Sequence, residues 1–344
     1  MTDPSPPAAD HRRAALEDFV AGSLGHRGFA IAPASADASF RRYFRIVPAS
    51  PAFGESSLIA MDAPPSHEDC RPYVAVAALL AAAGVHAPRV LADDLERGFL
   101  LLTDLGTTTY LDALDAGTAH GLYLDAIDAL IRWQQSSREG VLPAYDEALL
   151  RRELDLFPDW YVARHLGHAL TAAERATLER MFALVLASNL AQSRVFVHRD
   201  YHSRNLMVAS PNPGVLDFQD AVHGPLAYDL VSLLRDAYIG WDEEQELDWA
   251  VRYWQRARAA RLPVPPDFHA FWRDFEWMGV QRQLKVLGIF ARLAHRDGKA
   301  GYVADMPRVF HYLYRTCGRY DELAPLQRLL DTLAASPSRT AITF

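Results

Sequence analysis

Lysine is the residue that this chain most conspicuously lacks. Only Lys285 and Lys299 are lysines among its 35 lysine and arginine residues, so any cation needed in the first 284 residues must be an arginine or a histidine. Cysteine is as scarce, since Cys70 and Cys317 stand far apart and without a C-x-x-C spacing. That pattern indicates two buried thiols and excludes a zinc site built on cysteine pairs. No apolar run approaches the roughly 20 residues that a membrane-spanning helix needs.

The remaining composition is that of a globular protein. The 344 residues are 50% hydrophobic and 23% charged, which is enough for a substantial core in one two-lobed molecule or two domains. A net charge of −8 argues against nucleic acid as a partner. Residues 1–10 lack the basic start and apolar stretch of a secretory signal, so we expect a cytoplasmic protein, with no membrane association and no evident obligate protein partner.

The spacing of apolar residues predicts two regions of different character. Strands are expected at 40–47, 57–61 and 99–102, with helices at 12–28 and 68–83. After residue 105 the pattern is mostly helical, and the last helices are expected at 244–259, 268–294, 304–316 and 321–334. We therefore predict a tail at 1–10, a small β-rich lobe at 11–104, a larger helical lobe at 105–334 and a tail at 335–344.

One constellation of polar residues carries the chemistry. His198-Arg199-Asp200 is followed by Asn205 and then by Asp217-Phe218, and each group comes after a short β-like segment. This order and spacing is that of kinase-type phosphotransferases. Asp200 is the candidate that orients the acceptor hydroxyl and accepts its proton, while Asn205 and Asp217 offer hard oxygen ligands for Mg²⁺ on the phosphates of ATP. Singly, such residues usually cap or solvate a loop, but as a set they predict phosphoryl transfer.

A wider resemblance supports this interpretation. It lies in residues 197–206, 216–221, 224–225 and 228–230. Together they resemble the aminoglycoside phosphotransferase superfamily, which includes choline and homoserine kinases. The resemblance implies a bilobal, protein-kinase-like α+β fold and a loop-anchoring role for Asp229. Gln219 stands where protein kinases have the glycine of Asp-Phe-Gly, and no Ala-Pro-Glu follows, so a regulated protein kinase is not expected.

Further motifs are similar to one branch of that superfamily. They are residues 38–45, 59–65, 101–106 and 151–157. These resemble the bacterial anomeric kinases of N-acetylmuramate and N-acetylglucosamine, and the likeness runs from about residue 35 to 300. The resemblance implies ATP-dependent phosphorylation of a C1 hydroxyl in cell-wall sugar recycling. Two alternatives stay open: a kinase of another alcohol such as choline, homoserine or an aminoglycoside, and a pseudokinase that only binds nucleotide.

The nucleotide site must work without the usual strand lysine. The hairpin at residues 39–45 has no G-x-G-x-x-G, so we expect Arg42 or Arg45 to offer planar donors to phosphate. Thr103, Asp104 and Leu105 fit the hinge between the lobes, where main-chain groups would meet adenine. An altered donor site or a degenerate relative would also explain the missing lysine, but the intact aspartates favour substitution.

The acceptor site is predicted close to the catalytic loop. Glu153, His202, Arg204 and Asp220 are the candidates for hydrogen bonds to ring hydroxyls, and Arg204 could pair with a lactyl carboxylate. Each of them has a plain structural alternative, because helix carboxylates and loop arginines are usually solvated.

Overall fold

The computed structural model describes residues 8–36 and 40–335. The chain divides into two compact units, of which the first comprises Met1–Thr108 and Met207–Asp220 and the second Thr109–Leu206 and Ala221–Phe344. The first helix already begins at Ala8, inside the predicted N-terminal tail. Apart from residue 335, the predicted C-terminal tail lies outside the described residues.

The first part of the chain mixes strands and helices, and the part after Thr103 is mostly helical. The helices are α1 (Ala8–Leu24), α2 (Arg71–Ala82), α3 (Tyr110–Ala113), α4 (Ala119–Gln135), α5 (Glu147–Leu154), α6 (Ala172–Leu190), α7 (Tyr228–Leu234), α8 (Glu243–Ala259), α9 (Phe268–Asp297), α10 (Met306–Cys317) and α11 (Ala324–Ala335). A π-helical segment covers Phe157–His165, and short 3₁₀ segments cover Ala300–Asp305 and Asp321–Leu323. The strands are β1 (Phe29–Ala36), β2 (Arg42–Pro48), β3 (Leu58–Asp62), β4 (Val90–Asp94), β5 (Phe99–Thr103), β6 (Arg194–Val197), β7 (Leu206–Met207), β8 (Gly214–Val215) and β9 (Val222–Pro225).

The first unit is built on a five-stranded antiparallel sheet in the order β1-β2-β3-β5-β4. Helix α1 packs against it, and its Leu16 and Phe19 share one buried cluster with Phe44 of β2, Leu58 of β3 and Phe99 of β5. Because side chains alternate across a strand, the same strands present polar residues on their other face or at their ends. The predicted strands at 40–47, 57–61 and 99–102 are thus confirmed within two residues.

The second unit is helical around the 30-residue α9, whose centre is buried on nearly every side. It packs against α5, α6, α7, α8, α10 and the π-helical segment. The short antiparallel pair of β6 and β9 aligns Val197 with Val222, so the chain that follows β6 starts from a buried, fixed point. The catalytic run of residues 198–205 begins there.

Both cysteines of the chain lie within the described residues. Cys70 and Cys317 are both free thiols in buried positions, which confirms the expectation for them. In the ranges 8–36 and 40–335, none of the helices combines the length and the apolar character that a membrane crossing requires.

Candidate active site

The catalytic loop, residues 198–205 of the second unit, is held through its main chain by one buried carboxylate. Asp229, at the start of α7, accepts the amide hydrogens of His198 at 2.7 Å and of Arg199 at 3.0 Å. Arg199 has a φ of 80°, a left-handed conformation that non-glycine residues rarely adopt. The two bonds to Asp229 stabilise this turn and confirm the anchoring role that the resemblance implied.

Asp200 lies half-buried among cationic side chains. Burial by itself would raise the pKa of Asp200, but Lys285, His202, Arg199 and Arg282 lower that pKa to about 2. Asp200 is therefore ionised at neutral pH. A carboxylate in this state can accept a hydrogen bond from a hydroxyl and take its proton as that proton becomes acidic.

Asn205 is tied back to the same loop. Its side-chain amide nitrogen donates to the main-chain oxygen of Asp200 at 3.0 Å, and its own backbone amide donates to the oxygen of His202 at 2.9 Å. The nitrogen, which cannot bind a metal ion, thus faces the loop, as a metal-binding role of the amide oxygen requires. His202 itself is buried, and its ring packs edge-on against that of Tyr238 with the two centroids 5.3 Å apart. Burial lowers the pKa of its imidazole.

Glu153, predicted as a sugar contact, lies buried at the end of α5 with both carboxylate oxygens in use. One oxygen accepts from Arg199 at 2.7 Å and lies 3.3 Å from the ammonium of Lys285, while the other accepts from the hydroxyl of Tyr145. Lys285 also donates to the hydroxyl of Tyr228 at 2.9 Å. These contacts connect Glu153 to the catalytic loop through Arg199, so they favour a positioning role over direct sugar binding.

Asp217 belongs to the first unit, whereas Asp200 and Asn205 belong to the second. It lies two residues after the end of β8 and, like Arg199, has a positive φ, here 60°. The next residue, Phe218, is fully buried with its ring centroid 4.6 Å from that of Tyr73. The side-chain amide of Gln219 donates to a carboxylate oxygen of Asp217 at 2.8 Å. Gln219 thus orients the proposed metal ligand, a role that the sequence did not reveal.

The two arginines predicted to meet phosphate are both paired with carboxylates of the first unit. Arg42 of β2 forms an ion pair with Asp62, the residue opposite it on β3. Asp62 forms a second ion pair with Arg12 of α1. Arg45 donates to both oxygens of Asp104, at 2.6 and 3.1 Å. Asp62 is fully buried, and each guanidinium has a structural partner that explains its place in the sequence. The contacts therefore lend no support to a phosphate role for Arg42 or Arg45.

The predicted hinge begins at Thr103, the last residue of β5, and continues with Asp104 and Leu105. The hydroxyl of Thr103 accepts the amide hydrogen of Arg89 at 2.9 Å. Burial raises the pKa of Asp104, but its bonds from Arg45, Ser57 and the Gly106 amide more than offset this, so the pKa is lowered overall. This network fixes the backbone of the predicted hinge, and the main-chain contacts to adenine stay a prediction.

Arg41 stands next to the predicted arginines, and its position was not anticipated. Its Nη2 atom lies 2.8 Å from a carboxylate oxygen of Glu68, and the two side chains are only 11% and 15% exposed. Glu68 lies in the turn before α2, 27 residues away, a separation that carries no local sequence signal. A semi-buried arginine–glutamate pair beside the predicted phosphate-covering hairpin is thus revealed by the structure alone.

The last two predicted acceptor residues are exposed. Arg204, in the catalytic loop, stacks its guanidinium over the ring of Tyr238 at 3.7 Å and lies 5.8 Å from the ring of Tyr302. Such stacking leaves the edge of a guanidinium pointing outward, where it can pair with an anion. Asp220 is in the first unit and ends the segment that begins with Asp217.

Comparison with known sequences agrees with this chemistry. A model of the phosphotransferase enzyme family matches residues 30–266. An N-acetylmuramate/N-acetylglucosamine kinase of Pseudomonas aeruginosa is 57% identical over 318 residues, which cover 92% of this chain and 93% of the relative. A kinase of the same name from Neisseria meningitidis is 49% identical over 339 residues, covering 97% of this chain and 99% of the relative.

Comparison with solved structures concerns the fold. A choline/ethanolamine kinase family protein of Mesorhizobium loti aligns with a TM-score of 0.60 at 16% identity, covering 94% of this chain and 99% of that one. A putative aminoglycoside phosphotransferase of Ralstonia eutropha aligns with a TM-score of 0.59 at 14% identity, covering 93% and 98%. The predicted α+β, protein-kinase-like fold, with a small antiparallel sheet and a larger helical part, is confirmed.

Proposed function

Since this chain belongs to the phosphotransferase enzyme family, we propose that it uses ATP to phosphorylate the anomeric hydroxyl of N-acetylmuramate or N-acetylglucosamine. The choice of these sugars is supported by relatives that are 49–57% identical over nearly their whole length and carry the name of that kinase. The observation that carries the proposal is the state of Asp200, an ionised carboxylate on a loop that Asp229 and Glu153 hold in place. Because ATP is the donor, we place the reaction in the cytoplasm, and the products would serve the recycling of cell-wall sugars.

In this proposal Asp200 binds the acceptor hydroxyl and receives its proton as the new P–O bond forms. A carboxylate whose pKa is about 2 is a weak base. An anomeric hydroxyl is more acidic than an ordinary alcohol, however, and in phosphoryl transfer the proton leaves the hydroxyl only late in the reaction, so a weak base is sufficient. The main contribution of the loop is to align the acceptor oxygen with the donor phosphate.

Mg²⁺ is the metal that the donor set suits best. Asn205 and Asp217 would hold it through oxygen atoms, and the bonds that orient their side chains, to the Asp200 carbonyl and from Gln219, are compatible with that role. When bound, the ion would neutralise charge on the phosphates of ATP.

For the acceptor we propose Arg204 as the contact to the lactyl carboxylate of N-acetylmuramate. Its guanidinium is exposed and stacked on Tyr238, so it is held in place with an edge that can donate hydrogen bonds to an anion. His202 and Asp220 stay proposals for hydroxyl contacts. For Glu153 the contacts to Arg199 and Lys285 support a proposal of loop positioning in place of sugar binding.

The decisive experiment is product identification. We expect incubation with Mg-ATP and either sugar to yield the sugar 1-phosphate, seen by phosphorus NMR with coupling to the anomeric proton. Asp200→Asn should lower turnover by about 10² to 10⁴-fold, because the proton acceptor is lost, while Mg-ATP still binds in calorimetry. A 6-phosphate product, or faster turnover of choline, homoserine or an aminoglycoside at equal concentration, would overturn the assignment.

The role of Arg204 is tested by comparing the two sugars. Arg204→Gln should raise KM for N-acetylmuramate about tenfold and leave the constants for N-acetylglucosamine, which has no carboxylate, near wild type. Arg194→Gln, an exposed arginine at the start of β6, serves as the matched control. An equal effect on both sugars would rule out carboxylate recognition by Arg204.

A further inference from the structure

The first unit has no lysine to hold the donor phosphates. Kinases of this general type place a lysine on the third strand and pair it with a glutamate on the following helix. Here the third strand, β3, reads Leu58-Ile59-Ala60-Met61-Asp62, and Asp62 is a carboxylate already shared by Arg12 and Arg42. If a cation reaches the phosphates from this unit, it must be an arginine or a histidine from another segment, and only an arginine keeps its charge at neutral pH without a partner.

Arg41 lies in the hairpin segment, residues 39–45, that we expect to cover the phosphates. Its Nη2 atom lies 2.8 Å from a carboxylate oxygen of Glu68, and the rings of Phe40 and His67, the residues before each partner, lie tilted at 39° with their centroids 4.4 Å apart. Phe40 and Arg41 of the hairpin segment thus contact His67 and Glu68 of the segment before α2. The double contact fixes the guanidinium although it lies at the end of a hairpin.

The electrostatic surroundings of Arg41 link it to the proposed metal ligand. Burial lowers the pKa of Arg41, but the charges of Tyr43, Glu68, Asp217 and Asp220 raise it above its usual value. The negative charge of Asp217, in the same unit, therefore stabilises the charged form of Arg41. Arg42 and Arg45 are also paired with carboxylates, Asp62 in β3 and Asp104 just after β5.

We propose that Arg41 binds the donor phosphates of ATP in place of the missing lysine, and that Glu68 is the positioning residue that orients its guanidinium. A guanidinium has five N–H donors in a planar fork, so it can donate to Glu68 and to phosphate oxygens at the same time. A lysine on β3 would reach the phosphates from the sheet, whereas Arg41 reaches them from the hairpin. The inference rests on ATP being the donor and is independent of the acceptor.

The test is nucleotide binding measured by calorimetry without any sugar. Arg41→Ala should weaken Mg-ATP binding by about 10- to 100-fold, the loss of one or two charge-assisted hydrogen bonds, and leave adenosine binding unchanged. Arg41→Lys should recover part of the affinity. Arg89→Ala, which removes an exposed arginine paired with Glu55 in the same unit, should bind both ligands as wild type does.

Glu68 is tested through its dependence on Arg41. Glu68→Gln should weaken Mg-ATP binding in the wild-type background and add nothing in the Arg41→Ala background, which a purely structural role would not produce. Equal loss of adenosine and ATP affinity in Arg41→Ala, or a larger ATP-specific loss in Arg42→Ala or Arg45→Ala, would refute the proposal. If these results hold and no sugar is phosphorylated, only the acceptor assignment fails.

Discussion

Arg199 and Asp217 both have left-handed backbones, and each lies beside or among the candidate catalytic residues of its own unit. Each non-glycine residue in this conformation costs on the order of 1–3 kcal/mol, so it persists only where surrounding contacts hold it. Arg199 is held by Asp229 through its amide and by Glu153 through its guanidinium. Asp217 is held by the buried ring of Phe218 that follows it. The strain turns the Asp200 and Asp217 side chains in directions that an extended chain would not provide.

The residue-scale prediction concerns Glu153. Glu153→Gln removes the buried negative charge between Arg199 and Lys285, which we expect to cost about 3–5 kcal/mol of unfolding free energy. Because Arg199 would lose its hold on the loop, kcat should also fall, by about 10²-fold, with the affinity for Mg-ATP unchanged. Urea unfolding, steady-state kinetics and calorimetry measure the three quantities.

A surface variant provides the control for Glu153. Glu179→Gln breaks the exposed pair with Arg151 and should change stability by about 0–1 kcal/mol and kcat not at all. Tyr145→Phe, which removes one hydrogen bond to Glu153 and keeps its charge, covers the case in which Glu153→Gln does not fold. If kcat stays at the wild-type value in Glu153→Gln and in Tyr145→Phe, Glu153 has no positioning role.

At the scale of elements, α9 organises the second unit, and Gly288 shows how closely. A Cβ added at Gly288 would lie 2.5 Å from the carbonyl carbon of Leu156, the residue before the π-helical segment. The helix therefore approaches a neighbouring backbone more closely than any side chain allows. This contact lies between segments that are far apart in sequence, so periodicity could place α9 but not its approach to Leu156.

Gly288→Ala is accordingly expected to destabilise the protein by about 1–3 kcal/mol, because the helix must shift away from Leu156. Gly121→Ala in α4 is the matched control, since a Cβ there meets nothing within 4 Å. That change should stabilise by about 0.5–1 kcal/mol through the better helix propensity of alanine. Thermal and urea unfolding measure both, and equal effects at the two sites would contradict the packing argument.

Sequence patterns predicted some elements better than others. Buried β5 and the amphipathic α8 and α10 stand out, because every residue or one clear face is apolar, and their predicted bounds agree within two residues. Strands β1 and β4 were missed. Strand β1 contains Pro33 at a bulge, and β4 is half-exposed with two aspartates, so neither shows the alternation of a half-buried strand.

At the scale of the whole molecule, a buried cluster of charged residues connects several helices of the second unit, and no sequence motif predicted it. Arg235 is fully buried and binds Glu246 of α8 at 3.3 Å, Glu276 of α9 at 3.0 Å and Thr316 of α10 at 3.0 Å. A buried arginine is tolerated only when its donors are satisfied in this way. Its three partners are distributed over the last hundred or so residues, so the cluster exists only in the folded chain.

The sequence by itself determined the reaction class, because the catalytic residues lie within about 20 positions of one another and their spacing reflects local loop geometry. It also determined which cation is missing, since composition is independent of folding. Only the tertiary structure decided how the charges are paired: Arg42 with Asp62, Arg45 with Asp104, Arg41 with Glu68 and Glu153 with Lys285. The physical reason is that an ion pair depends on which segments become neighbours, and that is set by the packing of whole strands and helices. The scarcity of lysine therefore posed the question of the phosphate cation, and the fold points to Arg41.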